Sequence, residues 1–124
     1  KSAWEKTPLP CVPYGEDQLW AETIIRRGHE KLYVKDAVVK HSHRYSRDET
    51  YERSKTEADF FGTCFNYRFH QTPLEMYAGI AAESKQTMLK FIKKNCEFSE
   101  LTRRLKTVHA KHLGWHNGTP KAEQ

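Results

Sequence analysis

"KLYVKDAVVKHSH", residues 31–43, is the stretch that decides whether this chain contains a β-sheet. Two short runs of β-branched and aromatic residues, Leu32 to Val34 and Ala37 to His41, flank the turn-forming pair Lys35–Asp36. Such runs favour extended backbone, but a lone pair of short strands is only marginally stable in water. We therefore predict one or two short strands here, with the remaining strands of the sheet in a longer parent protein or in a partner chain.

Upstream of this stretch, the sequence changes from an extended lead-in to a helix. Pro8, Pro10 and Pro13 disfavour helix between Lys1 and Gly15. From Glu16 onward the apolar residues share one helical face: Leu19, Trp20, Ile24 and Ile25. Gly28 supplies a left-handed stop, so a helix of about three turns is predicted.

Downstream, three further helices are predicted. Their starts carry N-terminal signals: Ser46 with Glu49, Thr72 with Pro73 and Glu75, and Ser99. Polar caps followed by a glutamate, and proline at the first helical position, are typical of helix N-termini. We expect the first of these helices to break at Gly62, the second to reach Lys94 and the third to end at Gly114.

Composition limits the class of protein. The 124 residues have a hydrophobic share of 37%, which predicts one modest domain with a thin core, and no run is long enough to span a bilayer. Three widely spaced cysteines without a CxxC pair are predicted to be free thiols in a reducing cytoplasm. The chain starts at Lys1 and has no apolar leader, so we expect it to be a piece of a longer protein.

Glu16 and Asp17 have two interpretations. Acidic residues in a first helical turn complement the helix dipole, and most such pairs do nothing else. Adjacent helical positions point in different directions, so the two carboxylates would not act as a symmetric dyad. One of them would instead bind or orient a substrate while the other takes a proton.

The seven histidines also have structural and functional interpretations. His41 and His43 would share one face of a strand, close enough to contact a common ion or phosphate, although two ligands alone do not make a metal site. His109 and His112 are expected on a solvated helix face. The aromatic residues Phe65, Tyr67 and Phe69 would either fill a helix–helix joint or stack on a base or sugar.

The ordered features between Trp4 and Ser46 resemble the C-terminal part of the catalytic domain of family 2 glycosyltransferases, especially the rhamnosyltransferase-like members from bacterial polysaccharide clusters. In order they are W-E-K-x-P, E-D-x-x-W-A, a helix closed by Gly28, Y-x-x-D-A-V-V and H-S-H-x-Y-S. The resemblance implies an α/β fragment that is predominantly helical. Residues 1–46 would be the C-terminal segment of a GT-A (Rossmann-like) domain, 47–116 a helical extension and 117–124 a flexible tail.

The resemblance also implies an activity. Such enzymes transfer a sugar from a nucleotide-diphosphate sugar donor to a hydroxyl of a glycan or lipid-linked acceptor, as in O-antigen or capsule synthesis, with Mg²⁺ or Mn²⁺ on the diphosphate of the intact enzyme. Asp17 would be the catalytic base and Glu16 would support it, while Trp20 would bind the acceptor. His43, or else His41, would lie near the diphosphate and its metal. No D-x-D motif occurs in the chain, so the donor-binding half is expected to be missing and the isolated piece to be inactive.

The competing interpretation is a non-enzymatic, basic, helical interaction module that binds an acidic surface or a partner protein. The net charge of +5 agrees with such a role, but no nucleic-acid-binding motif is present and we expect no nucleic acid partner. Exposed apolar surface would favour a homodimer. For either interpretation we expect a cytoplasmic location, with peripheral contact at the inner face of the plasma membrane.

Overall fold

A computed structural model describes residues 2–12, 14–40, 43–94 and 97–118. Over these residues it contains five helices: α1 (Ser2–Lys6), α2 (Glu16–Arg26), α3 (Arg47–Phe65), α4 (Pro73–Lys94) and α5 (Phe98–Asn117). No β-strand forms within the described ranges, so the predicted α/β class and its Rossmann-like strands are wrong for this part of the chain. The chain divides into two compact units, Lys1–His43 and Arg44–Gln124.

The stretch predicted as strands is extended but unpaired. Residues 37–40 and 29–34 lie on either side of the predicted turn at Lys35–Asp36, which is present. The Ala37 amide donates to the Val34 carbonyl at 3.2 Å across this turn, and the Val38 amide donates to the Asp36 carbonyl at 2.9 Å. Tyr33 is 91% exposed and Val39 87%. Residues with high strand propensity form strands when their side chains can pack against those of a neighbouring strand. Among the described residues this stretch has no neighbouring strand.

The rest of the first unit is held together around Trp20. α1 precedes Pro8, so one helical turn forms where the lead-in was predicted to be extended. The Trp20 indole N–H donates to the Thr7 carbonyl at 2.5 Å, and the Trp4 and Trp20 ring centroids are 6.0 Å apart. α2 agrees with its prediction and is followed by Gly28 at φ 86°, the left-handed stop.

In the second unit, α5 packs against both α3 and α4. The buried apolar side chains come from all three helices: Ala58, Phe60, Met76, Leu101, Val108 and Ala110. Two polar contacts tie the C-terminal end of α5 to α3, because the Trp115 indole donates to Glu57 at 2.7 Å and the Asn117 amide to the Tyr51 hydroxyl at 3.0 Å. α5 is therefore the central helix of this unit.

The start of α3 agrees with its prediction, but its end does not. Ser46 Oγ accepts from the Glu49 amide at 3.2 Å and Glu49 accepts from the Ser46 amide at 2.8 Å, which is a complete capping box. The helix continues through Gly62 to Phe65 and ends at Asn66, whose φ of 51° is left-handed. A glycine within a helix costs only about 1 kcal/mol, too little to end α3 by itself.

The predicted start of α4 is confirmed, since Thr72 Oγ1 accepts from the Glu75 amide at 3.2 Å and Pro73 is the first helical residue. α5 begins one residue before Ser99, with Glu97 as N-cap, and it runs through Gly114. A Cβ at position 114 would lie 2.5 Å from the Tyr51 carbonyl oxygen. Gly114 is therefore needed for the close approach of α5 to α3 and is not a helix stop.

Among the described residues, none of the helices combines the length and the apolar character needed to cross a bilayer.

Candidate functional site

The two predicted catalytic carboxylates lie in the first turn of α2, and both side chains are exposed. Gly15 precedes them at φ 72° and provides no side-chain cap, while its carbonyl accepts from the amides of Gln18 and Leu19. The Asp17 carboxylate accepts from the Gln18 amide at 2.9 Å. The carboxylates are thus held on a regular helix and are open to solvent.

Trp20 lies one turn along α2 from both carboxylates, at the i+3 and i+4 positions that share a helical face. Its ring is half-buried and already packs against Trp4, and its N–H is bonded to Thr7. Arg27 also bonds to Thr7, through the side-chain hydroxyl. The structure therefore gives Trp20 a role in holding the N-terminal segment, and acceptor binding stays a prediction.

The predicted histidine pair is only partly described. His43 is exposed, while His41 lies outside the described residues. Within the described ranges, no three His, Cys, Asp or Glu side chains are grouped so that they could hold a metal ion. The structure thus brings Glu16, Asp17 and Trp20 onto one helix, but it does not add His43 to a set of metal ligands.

A second group of polar residues, not predicted as a unit, lies inside the second unit. His70 Nε2 is 2.9 Å from His112 Nδ1, and His112 Nε2 is 3.1 Å from Glu83 Oε2. Lys111 Nζ completes the group at 2.6 Å from Glu83 Oε1. We call the row Glu83, His112 and His70 the imidazole cluster. It connects α4, α5 and the segment before α4, and both histidines are buried.

The carboxylate fixes the direction of the hydrogen bonds in this cluster. Glu83 can only accept, so His112 Nε2 carries a proton and, in the neutral ring, Nδ1 accepts from His70 Nε2. Position 79 lies close to both rings, because a Cβ on Gly79 would be 2.6 Å from His112 Cε1 and 3.2 Å from His70 Cε1. α4 therefore approaches the rings at a residue that has no side chain.

Burial and neighbouring charges act together on these groups. Burial lowers the pKa of His70, the imidazoles of His112 and His116 lower it further, and Glu75 opposes the shift. Burial likewise lowers the pKa of His112, although the hydrogen bond to Glu83 acts in the opposite direction. Burial alone would raise the pKa of Glu83, but the hydrogen bonds from Lys111 and His112 outweigh burial and lower it. The cluster is most stable with neutral imidazoles and an ionised carboxylate.

The prediction that His109 and His112 share a solvated face is wrong for His112. His109 is exposed, but three residues later the side chain of His112 is buried. A helical stripe of Leu101, Leu105, Val108 and His112 was visible in the sequence, and its apolar members placed His112 on the core side. The partner Glu83 has no such sequence signal, because its pairing depends on how α4 packs on α5.

Of the three aromatic residues in that prediction, Phe69 fills a joint between elements, one of the two predicted uses. Phe69 stacks on Trp115 of α5, with centroids 4.6 Å apart and planes inclined by 7°. Phe61 contacts Phe69 edge-to-face at 5.5 Å. Lys111 Nζ lies 4.8 Å from the centroid of the Trp115 ring. Phe69 is thus engaged with protein neighbours on both sides, whereas Tyr67 contacts Phe61 and Phe69 edge-to-face and is 52% exposed.

A shallow groove of about 170 Å³ lies between the start of α3 and α5, lined by Arg47, Asp48, Tyr51, Ala110 and Leu113. Small-molecule sites usually measure roughly 300–1,000 Å³. The groove is therefore too small to enclose a nucleotide sugar.

No family model matches this chain, and no curated protein or solved structure is significantly similar to it.

Proposed function

We propose that this chain is the acceptor-side segment of a glycosyltransferase that transfers a sugar from a nucleotide-diphosphate sugar to an acceptor hydroxyl in polysaccharide synthesis. The observation that carries the proposal is the placement of Asp17 and Glu16. Both carboxylates are exposed on the first turn of α2, one turn from an aromatic ring, within the ordered set of motifs between Trp4 and Ser46.

In the proposed reaction, Asp17 accepts the proton of the acceptor hydroxyl as that oxygen attacks the anomeric carbon of the donor. The bond between this carbon and the diphosphate oxygen breaks, and the nucleoside diphosphate leaves with the electron pair. General-base catalysis of this kind contributes about 10²–10⁴-fold in rate. Glu16 orients the acceptor, since its carboxylate points away from Asp17 on the helix.

In the described residues, no three His, Cys, Asp or Glu side chains are grouped so that they could hold Mg²⁺ or Mn²⁺. We therefore assign no step of the reaction to a metal on this chain.

The proposal is tested in the intact enzyme that carries this segment. Asp17→Asn should lower kcat by about 10²–10⁴-fold with little change in donor affinity. Glu16→Gln, at the adjacent exposed position, is the matched control and should mainly raise KM for the acceptor. Unchanged turnover of Asp17→Asn would remove this residue from the mechanism.

A second test uses the 124-residue chain alone. Calorimetry with a nucleotide-diphosphate sugar should detect no tight binding, because the donor-binding half is not in this sequence. Donor affinity equal to that of an intact glycosyltransferase would contradict the proposal.

The alternative, a basic helical interaction module, is favoured by one observation, namely the all-helical structure of the described residues. It predicts that Asp17→Asn has no functional effect and that a partner with an acidic surface binds the chain with strong salt dependence. Light scattering on the isolated chain tests the homodimer that is expected from exposed apolar surface.

A further inference from the structure

α4 carries two apolar faces. One faces α5 and includes Met76, which is buried. The other is exposed, with Leu74 at 78%, Met88 at 49% and Ile92 at 70% exposure, and Tyr77 is also exposed. A helix of a small domain ordinarily presents charged or polar residues on its outer face. The outer apolar face of α4 is therefore unexplained by the packing of the second unit.

The exposed residues form a continuous line along the helix. Relative to Leu74, they occupy positions i+3, i+7, i+11, i+14 and i+18, a spacing that keeps side chains on one face. The members of this outer stripe are Leu74, Tyr77, Ala81, Lys85, Met88 and Ile92. At about 1.5 Å per residue the stripe is roughly 27 Å long.

The charges on α4 are distributed unevenly along its length. Both acidic residues, Glu75 and Glu83, lie in the first half, and Glu83 is engaged with Lys111 and His112. After Glu83 every charged residue of the helix is a lysine. Lys85 lies within the outer stripe and Lys93 follows Ile92, and both are exposed. The C-terminal half of the stripe thus combines apolar side chains with positive charge alone.

We propose that the outer stripe of α4 binds the surface of an anionic membrane, with the helix lying in the plane of the interface. Apolar side chains of such helices enter the boundary between headgroups and acyl chains, while lysines reach back to lipid phosphates. Each lysine near an anionic surface contributes attraction that falls off within a Debye length. The binding does not depend on the proposed sugar transfer, and it holds for either function.

The position of Lys85 distinguishes a membrane from a second copy of the chain. Against another protein the middle of the stripe would have to bury the Lys85 ammonium without a partner, which is costly. In a symmetric dimer formed through this stripe, the lysine-rich C-terminal half of one copy would lie against the same half of the other copy or against the N-terminal half of its stripe. Neither half of the stripe carries an acidic residue that could pair with the lysines. A headgroup region accepts this arrangement, because phosphates surround the ammonium and water hydrates it.

The test is flotation of the full 124-residue chain with two kinds of vesicle. One contains phosphatidylcholine alone, and the other contains three parts phosphatidylcholine to one part phosphatidylglycerol. The chain should float with the anionic vesicles and much less with the neutral ones. Met88→Glu/Ile92→Glu should lower the partition coefficient about tenfold or more, since two apolar contacts are lost and two negative charges are added.

The matched control is Thr56→Glu/Thr63→Glu, which adds the same charges at exposed positions of α3. It should retain most of the binding. A second pair of variants distinguishes the charge of α4 from the net charge of the chain. Lys85→Gln/Lys93→Gln should weaken binding to anionic vesicles more than Lys35→Gln/Lys106→Gln, which removes two exposed lysines outside α4. Circular dichroism verifies that each variant retains its helices.

Three outcomes would overturn the proposal. The first is failure of the parent chain to bind anionic vesicles. The second is equal loss of binding in the α4 variants and their controls. The third is a dimer in light scattering that Met88→Glu/Ile92→Glu converts to monomer while vesicle binding is absent, which would assign the stripe to a second copy.

Discussion

The two units of this chain differ in where they place their apolar side chains. Every buried hydrophobic residue in the described ranges belongs to the second unit, where α5 packs on α3 and α4. The first unit contains Leu32, Tyr33, Val34, Val38 and Val39, all exposed on an extended segment. The unit that contains Glu16 and Asp17, on which the proposed function depends, therefore has no buried hydrophobic side chain among its described residues.

The largest expected effect comes from separating the units. A chain of residues 44–124 should keep helical circular dichroism and unfold cooperatively, whereas residues 1–43 should be mostly unfolded. Isolated helices shorter than about 12–15 residues are marginal in water, and α2 has 11. Thermal melts followed by circular dichroism provide the measurement. A cooperative melt of residues 1–43 would break the contrast between the units.

A smaller effect is expected from Gly114→Ala in the second unit. The added methyl would lie 2.5 Å from the Tyr51 carbonyl oxygen and 2.8 Å from Ser54 Cβ, and backbone cannot move away cheaply. We expect the free energy of unfolding to fall by about 1–3 kcal/mol, measured by urea denaturation. The exposed substitution Ala81→Ser should stay within roughly 0.5 kcal/mol of the parent. A stabilised Gly114→Ala would show that helix propensity outweighs the close approach.

Features of this structure that depend on residues close together in the sequence could be predicted, whereas features that depend on residues far apart in the sequence could not. Ser46 with Glu49, and Thr72 with Pro73, identified their helix starts because a cap uses neighbours within three or four residues. The prediction that Gly114 ends α5 is wrong. Glycine is needed there because the Tyr51 backbone approaches closely, and Tyr51 is distant in the sequence. The strands were predicted from residue type alone, and strand formation requires a partner that the described residues do not provide.

The same limit applies to the candidate sites. Glu16, Asp17 and Trp20 were placed on one helix correctly because that relation is local. The imidazole cluster was missed because Glu83 and His112 meet only through the packing of α4 on α5.

The pH dependence of stability tests the role of the imidazole cluster in the second unit. Folding lowers the pKa of His70 and His112, so these two residues bind protons more readily in the unfolded chain than in the folded one. Stability from these residues is complete above the ordinary imidazole pKa of about 6.5 and is lost as the pH falls below it. The melting temperature should therefore decrease from pH 7 to pH 5.

The control for the acid test is His112→Gln, which should lower stability at neutral pH but flatten the decrease over this range. The Glu83 carboxylate is protonated only at lower pH, because its pKa is lowered by Lys111 and His112, so it leaves this window unaffected. An unchanged slope in His112→Gln would place the acid response elsewhere.

The smallest effect is expected from Trp20→Phe in the first unit. The substitution keeps an aromatic ring beside Trp4 but removes the N–H that donates to Thr7. A hydrogen bond of this kind contributes about 0.5–1.5 kcal/mol net. Amide hydrogen exchange should accelerate at Thr7, whose N–H donates to the Ala3 carbonyl at 3.0 Å, and remain unchanged in α5. Unchanged exchange at Thr7 would show that Arg27 and the Ala3 carbonyl hold this residue without the Trp20 N–H.

The arrangement of Trp115 gives the second unit an optical signature of its own. Its indole lies parallel to the Phe69 ring, beneath the Lys111 ammonium and bonded to Glu57, so it is fixed on several sides. A rigid, asymmetric setting of this kind produces a near-ultraviolet circular dichroism band that disappears when tertiary packing is lost. With Trp4 and Trp20 replaced by phenylalanine, the remaining indole would report the integrity of the helical core without an added label.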